Sequence, residues 1–330
     1  MLGLLCAGLA AAGPPPDDVA PAVSAQASAP PRDVGAMASR VAGDGRWVPV
    51  PDDASRGEPV MWKTTLHPDT TRSDAEVFIV AIDISRTRLH AVPGASEPRA
   101  AAPPDAGTLP PGDVRAAMIP AADQPALLAA WNGGWKSEHG HYAMQADGVT
   151  IALPKDGACT IAGYYDDSVR IGPWRALAES DPYIQFYRQT PACLYVQGTR
   201  NPALAAQMTT NWGAAADGNP VIRRSAMGTD ARGAFLYVGV SNATTAPALA
   251  DGMHHAGAAD VAELDVNWAF PRFLVFRADA AGKLTAQSLF PGFVFEKDQY
   301  VGKRSARDFF YVVRRGVADG NPSIADQRDR

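Results

Sequence analysis

Two carboxylates near the end of a predicted strand are the first candidates for chemistry. Glu263 and Asp265 alternate around Leu264, so a strand places both side chains on one face. Asn267 follows with the same alternation, and the three residues are predicted to line one cavity. Glycosyl transfer uses such a pair, with one carboxylate at the anomeric carbon and another to move protons. The alternatives are a turn capped by Asp265 and a core or rim salt bridge at Glu263.

An arginine beside a serine is the second candidate. Arg224 and Ser225 are predicted to lie in a turn just before a strand. A guanidinium presents a fixed fork of donors to anionic oxygens, so this pair predicts a phosphate clamp. Arg223 is interpreted as part of a solvated turn. Arg188 is a further substrate-binding candidate, and its assignment to a ligand or to a solvated turn stays open.

A polar turn with paired glycines is the third candidate. Asn132 offers a donor and an acceptor, and Gly133 and Gly134 let the backbone approach a ligand closely. The alternative is an ordinary hairpin turn, for which Asn-Gly is typical. His139 and His141 alternate nearby but lack a third ligand at a convincing spacing. We therefore predict neither a metal site nor a cofactor, and the assistance of a divalent cation stays open.

Strands predominate among the elements that must position these residues. The patterns predict strands over 76–84, 88–92, 234–240 and 261–264, a strand or short helix over 127–131, and a hairpin from 159–165 and 168–174. One helix is clear, with Thr245 as its N-cap, Pro247 in its first turn and Gly257 at its end. We predict an α+β fold with a mixed β-sheet core and few helices, in a single large domain.

Composition defines the limits of this domain and excludes two kinds of partner. The net charge of −5 argues against nucleic acid, and no apolar run beyond the first dozen residues predicts stable membrane insertion. Residues 1–13 are similar to a signal peptide, which predicts export to the periplasm or the extracellular space. Residues 14–45 are predicted to be a disordered linker, 46–315 the domain and 316–330 a flexible tail. An Ala/Pro/Gly-rich stretch over 93–111 predicts a mobile surface loop.

Two of the three cysteines remain once the signal-like segment is removed. Cys159 and Cys193 then form an even pair, and an oxidising compartment makes a bridge between them plausible. Each cysteine is predicted to flank a strand of one sheet. Two buried thiols are the alternative.

The order of these segments resembles the phosphodiester glycosidase family, which includes exported bacterial proteins. The resemblance rests on AAWNGGW, QADGVTI, IGPW, RQTPACLYVQG, RRSAMGTDARGAFLYVGV and LADGMHHAGAADVAELDVNW, read in that order. It covers roughly residues 76–315, including a closing Arg307-Asp308-Phe309-Phe310. It implies that the Asn-Gly-Gly turn, the Arg-Ser segment and the aspartate after the helix and strand converge on one pocket. The implied residues are Asn132, Gly133, Arg224, Ser225 and Asp265.

One segment departs from the family pattern. Many members follow the aspartate with a Gly-Gly-Gly-Ser turn, whereas this chain continues with Val266-Asn267-Trp268. The bulk of Val266 and Trp268 removes the room and the bare amides that a glycine turn offers to a phosphate. The resemblance therefore implies a variant branch that binds a differently shaped substrate or has lost activity.

The predicted function is hydrolysis of a sugar-1-phosphodiester in an exported glycan or envelope polymer. Asp265 is assigned to activate water or to stabilise the oxocarbenium-like centre, with Glu263 as the reserve acid or base. Arg224 holds the phosphate in this hypothesis, and Asn132 holds a sugar hydroxyl or a phosphate oxygen. The alternative is a non-catalytic envelope protein that binds a glycan or a polyol phosphate. Sugar rings can stack in either case on Trp131, Trp135, Trp174, Trp212 or Trp268, and the alternative for these tryptophans is a place in the core.

Overall fold

The computed structural model describes residues 29–52, 58–100, 115–146, 149–206 and 209–316. The signal-like segment 1–13, the first part of the predicted linker and nearly all of the predicted tail lie outside these ranges. The strands are β1 (Val48–Pro49), β2 (Met61–Leu66), β3 (Val77–Asp83), β4 (Thr87–Val92), β5 (Leu127–Asn132), β6 (Met144–Ala146), β7 (Val149–Ala152), β8 (Cys159–Tyr164), β9 (Val169–Pro173), β10 (Ile184–Thr190), β11 (Tyr195–Val196), β12 (Thr199–Arg200), β13 (Ile222–Thr229), β14 (Phe235–Thr244), β15 (Asp260–Glu263), β16 (Phe273–Ala278), β17 (Leu284–Ser288) and β18 (Phe309–Arg314). The α-helices are α1 (Trp174–Leu177), α2 (Thr209–Trp212) and α3 (Ala246–His255).

These strands form three sheets around a shared core. The first sheet has the order β1-β2-β3-β14-β13-β15-β11-β12, the second β7-β6-β10-β8-β9 and the third β17-β16-β5-β18-β4. Val80, Ile161 and Leu128, one from each sheet, belong to a single buried apolar cluster. A sheet-rich single domain with few helices is therefore confirmed, because the three sheets bury their apolar faces together.

The predicted mixed sheet is wrong. Between the described strands, every sheet pairing is antiparallel. Parallel neighbours need a crossover connection, usually a helix, and the described chain has one α-helix of more than four residues. That helix, α3, has ten residues, and no described helix has the length and apolar character needed to span a bilayer.

Helix α3 begins and ends as its sequence predicts. The Thr245 side chain accepts a hydrogen bond from the Ala248 amide at 3.2 Å, which satisfies one free donor of the first turn. Gly257 ends the helix with a φ of +119°, a conformation that side chains rarely adopt. The apolar side of α3, including Leu249 and Met253, is buried in a second apolar cluster with the first sheet.

The folded body begins earlier than the predicted boundary at residue 46. The Trp47 amide donates to Asp33 Oδ1 at 2.8 Å, and the His67 amide donates to Asp44 Oδ2 at 3.1 Å. Val34 and Met37 pack against the apolar cluster that contains α3. The absence of aromatic residues favoured a disordered linker, but two carboxylates and two apolar side chains attach residues 33–45 to the domain.

The stretch predicted as a mobile loop over 93–111 is partly fixed to the domain. The amides of Ala95 and Ser96 donate to the carbonyls of Ser305 and Ala306. Glu97 is 5% exposed and accepts a hydrogen bond from the Ser137 amide at 2.9 Å. Residues 94–97 therefore belong to the body of the domain, and residues 101–114 lie outside the described ranges.

The predicted bridge between Cys159 and Cys193 is present. Their Cα atoms are 4.7 Å apart, within the range that disulfide geometry allows. The bridge joins two sheets rather than two strands of one sheet, because Cys159 begins β8 and Cys193 precedes β11. The cross-link therefore ties the second sheet to the first.

Removing this bridge is expected to lower the free energy of unfolding. We expect the Cys159→Ala/Cys193→Ala variant to lose about 2–5 kcal/mol, because an open chain gains conformational freedom when it unfolds. Urea unfolding under oxidising conditions measures this loss. The unchanged chain in reductant is the control and is expected to lose a similar amount, whereas an unchanged unfolding midpoint in both samples contradicts the prediction.

Candidate functional site

A cleft of about 800 Å³ opens beside the carboxyl end of β15 and contains the strongest candidate site. Aromatic rings, amide side chains and one carboxylate line it together. These residues are Trp135, His139, Asn242, Asp265, Asn267 and Trp268. The cleft combines flat apolar surfaces with a small number of polar groups, the composition that is typical of small-molecule sites.

The chain that carries Asp265 is fixed by two neighbouring segments. The Asp265 amide donates to the Gly133 carbonyl at 3.0 Å, and the Ser225 hydroxyl donates to the Asp265 carbonyl at 2.9 Å. The Asn132 side chain donates to the Ser225 hydroxyl at 2.8 Å. Residues distant in sequence therefore converge here, and Asn132, Gly133 and Ser225 position the backbone of Asp265.

The two glycines of the Asn-Gly-Gly turn are required by close packing. A Cβ on Gly133 would lie 2.0 Å from the Asp308 carboxylate, and one on Gly134 would lie 2.7 Å from the Arg188 guanidinium carbon. The side-chain Oδ1 of Asn132 accepts from the Arg272 amide at 3.2 Å, and Asn132 is 2% exposed. The prediction that this turn contacts a ligand does not fit. Other residues of the protein fill the space beside the two glycines and use the side-chain amide of Asn132.

Asp265 combines a buried carboxylate with a cationic neighbour. It is 5% exposed, its Oδ2 lies 2.6 Å from Arg307 Nη2, and its Oδ1 accepts from the Asn267 amide at 3.0 Å. Burial raises the pKa of Asp265, and the charge of Arg307 opposes that rise. The hydrogen bond from the Asn267 amide also confirms the alternative in which Asp265 caps a turn. Asp265 caps its own turn and lines the cleft.

Arg307 belongs to this site, although the sequence does not predict a role for it. It is 4% exposed, and its guanidinium carbon lies 4.6 Å from the centroid of the Phe270 ring. Its Nε and Nη1 are buried without a hydrogen-bond partner in the described part of the chain. A buried guanidinium normally uses its donors, so these two N–H groups remain for a further hydrogen-bond partner. The family resemblance includes the segment Arg307-Asp308-Phe309-Phe310, but no spacing in the sequence connects Arg307 to Asp265.

Arg188 has a structural role instead of the predicted substrate contact. Its Nε donates to Asp308 Oδ2 at 2.8 Å, and its other N–H groups donate to Asp308 Oδ1 and to three backbone carbonyls. All five donors of the guanidinium are therefore used within the protein. Asp308 in turn accepts from the Gly134 amide at 2.8 Å. The buried pair fixes the turn that follows β5.

Arg224 is likewise not the predicted phosphate clamp, and it lies within β13 rather than in a turn. One of its N–H groups donates to Glu263 Oε1 at 2.6 Å. The other four donate to the carbonyls of Trp212, Gly213, Pro220 and Thr244. No donor of Arg224 is left for a phosphate.

Glu263 does not share the cleft with Asp265, contrary to the strand-alternation argument. Strand β15 ends at Glu263, and Asp265 lies beyond it in the following turn. Glu263 is fully buried on the side of Arg224 and does not line the cleft, so the predicted role of reserve acid or base does not fit. The alternative of a core salt bridge is confirmed.

Two further residues near the cleft differ from each other in exposure. Arg223 was interpreted as part of a solvated turn, but it is 4% exposed within β13. The His139 side chain is about half exposed and lines the cleft. Among the described residues, no group of three His, Cys, Asp or Glu side chains has an arrangement that can hold a metal ion.

The buried glutamate is expected to make stability depend on pH. Burial raises the pKa of Glu263 to about 7 from an ordinary value of 4.5, although Arg224 opposes the rise. The folded state therefore holds this proton more tightly than the unfolded state. The contribution of Glu263 to the free energy of unfolding is fully present below about pH 4.5 and is lost as the pH rises through about 7.

Substituting glutamine at this position tests that dependence. Because glutamine cannot ionise, the Glu263→Gln variant is expected to gain stability relative to the unchanged chain between pH 5 and pH 8. Urea unfolding at both pH values measures the change, and the half-exposed Glu138→Gln serves as the control. If the Glu263→Gln variant and the unchanged chain differ by the same amount at both pH values, Glu263 does not titrate in this range.

The chain is similar to several solved structures. No family model matches the sequence, and no curated protein matches it. The catalytic domain of zebrafish N-acetylglucosamine-1-phosphodiester alpha-N-acetylglucosaminidase, auto-inhibited by its pro-peptide, has a TM-score of 0.48 at 12% identity, over 80% of this chain and 86% of that one. A hypothetical protein from Synechocystis has a TM-score of 0.46 at 11% identity, over 79% and 65%. A protein from Burkholderia pseudomallei has a TM-score of 0.32 at 11% identity, over 72% and 74%.

Proposed function

We propose that the protein hydrolyses a sugar-1-phosphodiester linkage of an exported glycan in the cleft beside β15. The observation that carries the proposal is the pairing of Asp265 with Arg307. Among the described residues that line the cleft, Asp265 carries the one carboxylate. Arg307 contacts Asp265 but is not itself a lining residue, and two of its buried N–H groups have no hydrogen-bond partner among the described residues. A carboxylate and an available cation 2.6 Å apart suit a substrate with an anomeric carbon beside a phosphate.

The chemistry of the linkage explains why one carboxylate suffices. The leaving group of a sugar-1-phosphodiester is a phosphate monoester, which is a weak base and needs little protonation. The requirement for a second, protonated carboxylic acid is therefore weaker than in an ordinary glycoside. Asp265 stabilises the oxocarbenium-like centre or activates the water that attacks it. Glu263 does not line the cleft and supplies no second acid, which is compatible with this reaction.

The cation in the proposal is Arg307 in place of Arg224. Its free Nε and Nη1 bind the phosphate oxygens, and this contact stabilises the charge that develops on the leaving group. Asn267 lines the cleft beside Asp265 and binds a sugar hydroxyl. Asn132, Gly133, Gly134, Ser225 and Arg188 act indirectly, because they hold the backbone on which Asp265 lies.

A hydrolysis screen tests the proposal directly. The purified protein is incubated with sugar-1-phosphodiesters that differ in the sugar and in the alcohol, and both the phosphate monoester and the reducing sugar are measured. Equal release of both products from at least one substrate is expected. Absence of release from every substrate, with the chain folded, contradicts hydrolysis.

A binding protein on the same cleft is the second candidate function. It is favoured by the contacts of Asp265, because Arg307 and the Asn267 amide already engage its two oxygens. In this case the same compounds bind without turnover. Calorimetric titration of the compounds that remain intact in the screen therefore separates the two functions.

A further inference from the structure

We propose that Trp268 forms a separate sugar-binding subsite at the cleft, which takes a second pyranose ring of a glycan polymer. The inference rests on the proposed function, because it adds a ring to the substrate of the same cleft. It also specifies the substrate class, namely a chain of at least two rings. Trp268 belongs to the segment that departs from the glycine-rich family pattern.

Exposure distinguishes Trp268 from every other tryptophan of the chain. The sequence contains seven tryptophans, and six of them are at most 8% exposed. Trp268 is 63% exposed and lines the cleft together with Asp265. Of the five tryptophans considered for sugar stacking, Trp131, Trp174 and Trp212 are in the core, and Trp135 presents little surface to the cleft. Trp268 therefore offers the large accessible ring that stacking requires.

Arg223 holds the exposed ring in place. Its guanidinium carbon lies 4.4 Å from the centroid of the Trp268 ring, and its Nη1 donates to the Trp268 carbonyl at 2.9 Å. The same guanidinium lies 5.0 Å from the Phe293 ring, and its Nη2 donates to the Gly292 carbonyl at 2.7 Å. A ring fixed through both its face and its backbone loses little entropy when a ligand stacks on it.

An unused acceptor lies in the same cleft. Asn242 Nδ2 donates to the Pro291 carbonyl at 3.0 Å, which orients the amide. Asn242 Oδ1 is buried and has no hydrogen-bond partner among the described residues. A carbonyl oxygen of this kind accepts a hydroxyl proton, and it can be satisfied by a ligand. The cleft therefore offers an accessible aromatic ring and a hydroxyl acceptor.

These features match the two surfaces of a pyranose. The C–H groups of the ring form an apolar face that packs on an indole, while the hydroxyl groups around its edge seek hydrogen-bond partners. Asp265 lines the same cleft only three positions before Trp268. A polymer therefore places one ring at Asp265 and a neighbouring ring on Trp268.

Binding as a function of chain length tests the subsite. Linear oligosaccharides of one to four units, built from glucose, mannose, galactose or N-acetylglucosamine, are titrated by calorimetry into the unchanged chain and into Trp268→Ala, Trp268→Tyr and Tyr183→Ala. Tyr183 is a control, because it is 52% exposed but does not line the cleft. We expect affinity for at least one series to rise about tenfold between one ring and two or three rings, in line with an aromatic stacking contact.

The variants decide the outcome. Trp268→Ala is expected to lose the rise, Trp268→Tyr to keep part of it and Tyr183→Ala to keep all of it. Equal length dependence in Trp268→Ala and the unchanged chain overturns the subsite, and so does the absence of any length-dependent binding. Length-dependent binding without hydrolysis in the screen above keeps the subsite and contradicts the enzymatic function. Hydrolysis that does not depend on chain length contradicts the subsite and keeps the enzymatic function.

Discussion

Asp265→Asn is expected to lower the turnover of a sugar-1-phosphodiester by about a thousandfold, while the protein stays folded. An amide of the same shape carries no negative charge, so it neither stabilises a cationic sugar centre nor takes a proton from water. Burial raises the pKa of Asp265, which shows that the site disfavours the charge. Removing the buried charge is expected to stabilise the protein, whereas losing the pairing with Arg307 is expected to destabilise it. The two effects on stability therefore oppose each other. Initial rates and thermal unfolding, measured on the same preparation, test both parts.

The pH profile of the unchanged chain gives a second readout for the same residue. Because the reaction uses the carboxylate form, kcat/KM is expected to rise with pH through the raised pKa of Asp265. Asp166→Asn is a matched control, since Asp166 Oδ1 accepts from the Ser168 amide at 2.9 Å in a similar but exposed turn. Its turnover is expected to be unchanged. More than a tenth of the activity left in Asp265→Asn contradicts the assignment of Asp265.

Local patterns explain which parts of the fold the sequence predicts. The runs that become β3, β4 and β14 are apolar enough to be recognised without their neighbours, and α3 has its own capping residues. Strand β13 was missed, because two adjacent arginines interrupt its pattern. Arginines are rarely buried unless they are paired, and the partner of Arg224 is 39 positions away at Glu263. A local pattern contains no information about such a partner.

Local patterns likewise predict some residues of the candidate site and not others. Asp265 was recognised because an acidic residue after an apolar strand is conspicuous in a sequence. Arg307 was missed, since its contact with Asp265 depends on how β18 and β5 pair and on how the chain after β15 approaches them. Gly133 and Gly134 were assigned to a ligand, although Asp308 and Arg188 require them. A glycine indicates that a side chain does not fit at its position. Only the tertiary structure shows which atoms fill the space that the side chain would take.

Arg224→Met is expected to destabilise the protein by about 3–5 kcal/mol, in contrast to the phosphate-binding role predicted from the sequence. The substitution leaves Glu263 buried without its cation and removes the donor from four backbone carbonyls. Urea unfolding measures the loss. Arg232→Met is the control, because the Arg232 side chain is 82% exposed and such surface changes alter stability by about 0.5 kcal/mol or less.

A double variant separates the two sources of this loss. Arg224→Met/Glu263→Leu removes the unpaired carboxyl group but still leaves the four carbonyls without their donor, so it is expected to recover only part of the lost stability. The remaining loss measures what Arg224 contributes through the backbone of residues 212, 213, 220 and 244. Substrate affinity per folded molecule is expected to stay unchanged in Arg224→Met, because every donor of Arg224 faces the protein. A variant that is as stable as the unchanged chain but binds the anionic substrate more weakly would restore Arg224 as a phosphate ligand.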